Sequence, residues 1–92
     1  MLFKVEMTVN IPPSLPAEQV DEIKAQEKAY SQRLQREGKW LHIWRVAGLY
    51  ANVSIFDVAD NQELHDLLTA LPLYPFMTIV VQPLCRHPSS IH

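Results

Sequence analysis

A single cysteine, Cys85, leaves this chain of 92 residues without an intrachain disulfide framework. With only two glycines, Gly38 and Gly48, it has no glycine-rich loop to cradle a phosphate, which argues against a nucleotide-dependent enzyme. No apolar run approaches the ~18 residues a membrane span requires. The opening MLFKVEMTV lacks a basic stretch followed by a long apolar one, so no signal peptide is expected, and a cytoplasmic setting is. A net charge of −2 offers neither nucleic acid nor an anionic membrane a broad attractive field. The histidines (His42, His65, His87, His92) never take the His-x-x-x-His spacing of a zinc-binding helix, so no metal site is expected. There is no Gly-x-Ser-x-Gly. Cys85, with His87 two residues on, reads as part of a tail anchor and not as a nucleophile.

What is present is a globular composition, 48% hydrophobic and 20% charged, in a length that makes one domain spanning residues 1–92. Leu2 to Val9 alternates apolar and polar residues and reads as a half-buried strand. The prolines at 12, 13 and 16 end it, because proline cannot donate to a strand ladder. A helix is predicted from about Pro16 to a stop at Gly38. Strands follow at roughly Trp40–Ala47 and Tyr50–Val58, joined at Gly48-Leu49 as a hairpin. Asp60 to Glu63 resembles a capping box opening a short helix that turns Leu64, Leu67, Leu68 and Leu71 inward until Pro72 stops it. Pro75 keeps the next linker non-helical, Met77–Val81 is the last strand, and residues 83–92 form a tail that docks on a neighbouring subunit.

The order strand, helix, strand, strand, helix, strand predicts an α+β fold of ferredoxin-like βαββαβ type: an antiparallel sheet with both helices on one face. Trp40, His42 and Trp44 are placed together on one face of the second strand, and Tyr50, Asn52, Ser54 and Phe56 on one face of the third. So much aromatic surface predicts that a second subunit covers the open face, as in a dimeric α+β barrel. The RRM fold shares this element order and binds single-stranded RNA. The first strand lacks its aromatic pair and the third its basic-glycine-aromatic run, so no nucleic-acid partner is expected.

One residue of the first helix breaks its pattern. Val20, Ile23, Glu27, Tyr30 and Leu34 recur at steps of three and four, so Glu27 lies within roughly 20° of the middle of an apolar stripe. A carboxylate aimed at a core is costly to ionise, its pKa rises, and it becomes a base suited to neutral pH. Paired burial is the competing reading, with Lys24 or an arginine across a subunit interface as partner. Lys24, one turn earlier, is either a solvated edge residue or a cation that stabilises an enolate oxygen.

Several segments together resemble the muconolactone isomerase family: Leu34-Gln35-Arg36-Glu37-Gly38 with Trp40, His42-Ile43-Trp44-Arg45, Tyr50-Ala51-Asn52, Leu71 to Met77, and the tail His87-Pro88-Ser89-Ser90-Ile91. The likeness runs essentially the whole chain and includes the Lys24-x-x-Glu27-Lys28 spacing. It implies a homodecamer of ferredoxin-like subunits that converts muconolactone into 3-oxoadipate enol-lactone in catechol degradation, the β-ketoadipate pathway, with neither cofactor nor metal. Glu27 would be the base and Lys24 the cation nearest the dienolate oxygen. Tyr50, Asn52 and His42 are candidates for contact with the lactone, and Arg86 or Arg45 for its carboxylate; Tyr50 and Asn52 would equally suit a face packed on another subunit. The alternatives are a cofactor-free monooxygenase or decarboxylase on the same scaffold, or a non-enzymatic ligand-binding domain in which Glu27 is a paired structural charge.

Overall fold

A computed structural model describes residues 1–92. Four antiparallel strands, β1 (Leu2–Val9), β2 (Trp40–Arg45), β3 (Ala51–Asp57) and β4 (Met77–Leu84), form one sheet in the order β2-β3-β1-β4. Helix α1 (Ala17–Arg36) joins β1 to β2, and α2 (Asn61–Thr69) with a short 3-10 turn (Tyr74–Phe76) joins β3 to β4. This is the expected α+β architecture. Its core is one cluster in which Phe3, Val5 and Met7 of β1 and Phe56 of β3 meet Leu34 of α1 and Leu64 and Leu68 of α2. Both helices therefore pack on one sheet face, and the Tyr30 hydroxyl ties them by donating to the Leu67 carbonyl at 2.8 Å. Phe56 is fully buried, so truncating it to alanine would cost about 3–5 kcal/mol.

Local chemistry sets the element ends. Gly38, at φ 77°, occupies the left-handed position after α1; its N–H reaches the Gln35 carbonyl and that of Lys39 the Leu34 carbonyl, the paired bonds of a Schellman stop. Asp60 accepts from the Glu63 backbone N–H at 2.8 Å while the Glu63 carboxylate accepts from Ala59 N–H at 2.9 Å, a reciprocal cap worth about 1 kcal/mol. The Ala59 bond and the Lys39 ammonium hold the Glu63 carboxyl below its ordinary pKa.

Three expectations change. The final strand runs to Leu84, so residues 83 and 84 pair with Phe3 and Leu2 and do not belong to the tail. As an edge strand β4 tolerates Pro83, whose missing N–H breaks no second ladder. The linker expected to be non-helical carries one 3-10 turn, which admits Pro75 near its start. Most consequential, Trp40 does not share a face with His42 and Trp44. A bulge at Leu41 pairs Trp40 with Phe56 but His42 with Ile55, so the alternation slips by one residue. Trp40 turns into the core, 4.7 Å from the Phe56 ring, while His42 and Trp44 stack at 4.9 Å on the open sheet face. The same slip turns Ile43 and Arg45 toward the helices, opposite Ser54 and Asn52.

Candidate active site

The lower half of the α1 stripe is only half-buried, and beneath it lies a cleft of about 330 Å³. Met7, Val9 and Trp40 line it from the sheet, Leu73 and Met77 from the segment after α2, and Lys24, Glu27, Lys28 and Ser31 from α1. Ile43, Arg45, Tyr50 and Asn52 complete it. The bulge makes this possible, since it is what brings Arg45 to the side of the sheet that Glu27 faces.

Glu27 is held at one oxygen. Its Oε1 accepts from the Leu73 backbone N–H at 3.1 Å. That N–H opens the 3-10 segment and has no partner in the turn itself, so the carboxylate caps it across 46 residues of chain. Burial pushes the Glu27 carboxyl above its ordinary pKa, and the Leu73 bond partly offsets the rise. No salt bridge neutralises it. The paired-charge reading of Glu27 therefore finds no partner within this chain. Burial likewise raises the Tyr30 pKa; the Arg33 cation opposes this and Glu27 adds to it.

Three cations, Lys24, Lys28 and Arg45, line the cleft against one carboxylate, so a chain of net negative charge presents a site of the opposite sign. The Lys24 ammonium and the Arg45 guanidinium lie 5.3 and 5.2 Å from the centroid of the Tyr50 ring, so one aromatic ring holds both by cation–π contact. The Ser54 hydroxyl, fully buried, donates to Asn52 Oδ1 at 2.8 Å. That bond fixes the amide and leaves the Asn52 Nδ2 donors uncommitted.

Of the residues expected from sequence, Glu27, Lys24, Tyr50, Asn52 and Arg45 converge here. His42 does not: the slip at Leu41 puts it on the opposite sheet face against Trp44. Arg86 does not either; it is exposed in the tail, its guanidinium 3.5 Å from the His92 carbonyl. Sequence reasoning missed Trp40, Lys28 and the Leu73 N–H. The Lys28 position, one residue past Glu27 on the helix, was legible. The Leu73 contact had no local signal.

A family model described as muconolactone delta-isomerase matches residues 1–90. The chain belongs to the muconolactone delta-isomerase family. Muconolactone Delta-isomerase 1 of Acinetobacter lwoffii is 67% identical over 99% of this chain and 95% of its own length. The muconolactone Delta-isomerase of Acinetobacter baylyi is 60% identical with the same coverage. A crystal structure of muconolactone isomerase superposes with a TM-score of 0.95 at 56% identity, covering 100% of this chain and 96% of that one. A 5-chloro-2-hydroxyhydroquinone dehydrochlorinase from Burkholderia phenoliruptrix superposes with a TM-score of 0.64 at 16% identity, which shows a shared fold alone.

Proposed function

We propose that this chain isomerises muconolactone to 3-oxoadipate enol-lactone, with Glu27 as the single base that carries the proton. The observation that carries the assignment is one half-buried carboxylate, unpaired with any cation, in a mostly apolar cleft whose other charged residues are all cations. The ring carbon that bears the carboxymethyl arm is acidic because its deprotonation gives an extended, furan-like dienolate. Glu27 takes that proton, the C–H electron pair enters the ring, and the lactone carbonyl oxygen accepts the charge. The protonated carboxyl then returns the proton to the carbon α to the lactone carbonyl. The double bond has moved, no electrons are gained or lost, and Glu27 is again a carboxylate. A pKa above the ordinary carboxylate range strengthens the first step, and the Leu73 N–H keeps the carboxyl aligned through both.

Lys24 and Arg45 meet the substrate's carboxylate, which replaces Arg86 in that role because Arg45 lines the cleft and Arg86 does not. Asn52 offers its amide N–H to the lactone. The monooxygenase, decarboxylase and non-enzymatic alternatives carry no observation of their own here. Turnover of muconolactone followed in the ultraviolet tests the assignment. Glu27→Gln should lower kcat by ~10²-fold or more, and a folded variant that turns over near-normally refutes it.

The same family reading supports a homodecamer acting in the β-ketoadipate pathway. The open sheet face carries Trp44, 56% exposed, and Val80, 54% exposed, together with Leu84, an apolar surface suited to a second copy. Residues 85–92 extend beyond β4 and supply a docking tail. The free, exposed Cys85 suits a reducing cytoplasm.

A further inference from the structure

Only two buried side-chain polar atoms in the chain lack a hydrogen-bond partner: Glu27 Oε2 and Trp40 Nε1. Both residues line the same cleft. An unpaired buried donor or acceptor costs about 1–3 kcal/mol, so a small domain retains such atoms where something else uses them. The acceptor is the free oxygen of the proposed base. The donor belongs to an indole that is 98% buried (2% exposed) and packed against the Phe56 ring at a 32° tilt. Its position follows from the Leu41 bulge, which turns Trp40 inward when unbroken alternation would have set it beside His42.

We propose that the Trp40 indole N–H is a catalytic hydrogen-bond donor to the lactone carbonyl oxygen, acting with Asn52 on the charge that Glu27 creates. The inference rests on the isomerase reading of the cleft and deepens it. A C–H acid facing Glu27 Oε2 and an oxygen facing Trp40 Nε1 are the two halves of an enolisable lactone, and these two unpaired atoms are the complement of that pair. The enolate role first considered for Lys24 thereby passes to a neutral donor. Lys24 is exposed at the cleft's edge over Tyr50, where water screens its charge. The indole is dry, rigid and already oriented, so it stabilises charge as it develops without reorganising. A neutral donor also leaves Glu27 uncompensated, whereas a buried cation beside it would lower its pKa and weaken the base.

Trp40→Phe tests this, since it keeps an aromatic ring against Phe56 and deletes the N–H. With muconolactone, kcat should fall ~10²-fold, KM should change little, and the acid limb of the pH profile should stay in place. Turnover within about twofold of the wild type overturns the proposal. So does a loss accompanied by a shifted acid limb, which would assign the N–H to Glu27 and not to the substrate. If the variant fails to fold, the wild-type protein still decides. The Trp40 indole ¹H–¹⁵N signal, told from that of Trp44 by Trp44→Phe, should move downfield on saturation with the saturated lactone analogue. An unmoved signal refutes the contact. Failure of the isomerase reading looks different: the wild type would not turn over muconolactone at all. Normal wild-type turnover lost in Glu27→Gln but kept in Trp40→Phe removes only this inference.

Discussion

Glu27→Asp separates the two things that make Glu27 a base, its position and its proton affinity. Shortening the side chain by one methylene withdraws the carboxylate about 1.5 Å along the helix-to-cleft direction. The 3.1 Å bond from Leu73 N–H then lies beyond hydrogen-bonding range, a loss of about 1 kcal/mol and of the contact that aligns the carboxyl. Intrinsic acidity changes little, because aspartate and glutamate differ by only about 0.4 pKa units. Retreat toward the helix also alters the burial that raises the Glu27 pKa, but base strength enters the rate only fractionally. Position enters directly, since a misplacement of about 1 Å costs ~10²-fold, or about 2.7 kcal/mol of barrier. The larger effect wins, so kcat should fall ~10²-fold while KM, set by Lys24 and Arg45, changes little. The assay is muconolactone turnover across pH. In the wild type the acid limb should lie above the ordinary glutamate range, because burial favours the protonated, inactive form. A Glu27→Asp enzyme that regains wild-type kcat at high pH would refute the reasoning, because the defect would then be protonation and not reach.

Lys24→Met and Arg45→Met should each raise KM for muconolactone about tenfold and flatten its dependence on ionic strength; an unchanged KM in both would remove the carboxylate assignment. Gly38→Ala should cost about 1–2 kcal/mol in urea unfolding. Nothing lies within 4 Å of an added Cβ, so strain at φ 77° is the whole effect, and a neutral result would mean the Schellman turn relaxes. Val80→Glu puts a charge on the open sheet face without touching the cleft; light scattering should report a smaller assembly, and an unchanged mass would show that this face is not an interface.

The fold was largely legible because its signals are local. β1 alternates cleanly, Gly38 sits where a left-handed residue is needed, and Asp60 with Glu63 caps α2 as the spacing implies. Glu27 was legible for the same reason, as one wrong residue in a periodic stripe. Failures came where pairing overrides local pattern. Nothing in Trp40-Leu41-His42 marks a bulge; it exists because β2 must match β3 at both Phe56 and Ser54. That one-residue slip moved His42 out of the site and Trp40 and Arg45 into position. Pro83 suggested a strand end, yet an edge strand with a single neighbour can absorb a proline. The Leu73 contact joins residues 46 apart, and no periodicity encodes it.

The bulge also explains how a domain this small builds a polar site without losing its core. On an unbroken β2, Trp40, His42 and Trp44 would share a face, and the cleft would gain either both remaining aromatics or none. The slip divides them: one indole enters the core beside Phe56, two rings stay on the open face, and Arg45 reaches the cleft. Trp40 is thus a core residue on one edge and a polar donor on the other. The same economy holds across the cleft, where Glu27 caps the 3-10 segment through Oε1 and leaves Oε2 unpaired. Each of the two groups is anchored by a contact the fold needs anyway, so the free atom of each is held in place by packing already present. Deleting Leu41 should therefore spare turnover. Without the bulged residue Trp40 still meets Phe56, His42 still meets Ile55 and Arg45 stays opposite Asn52, now in unbroken alternation. A folded deletion variant that has lost turnover would show that the bulge does more than set which side each residue faces.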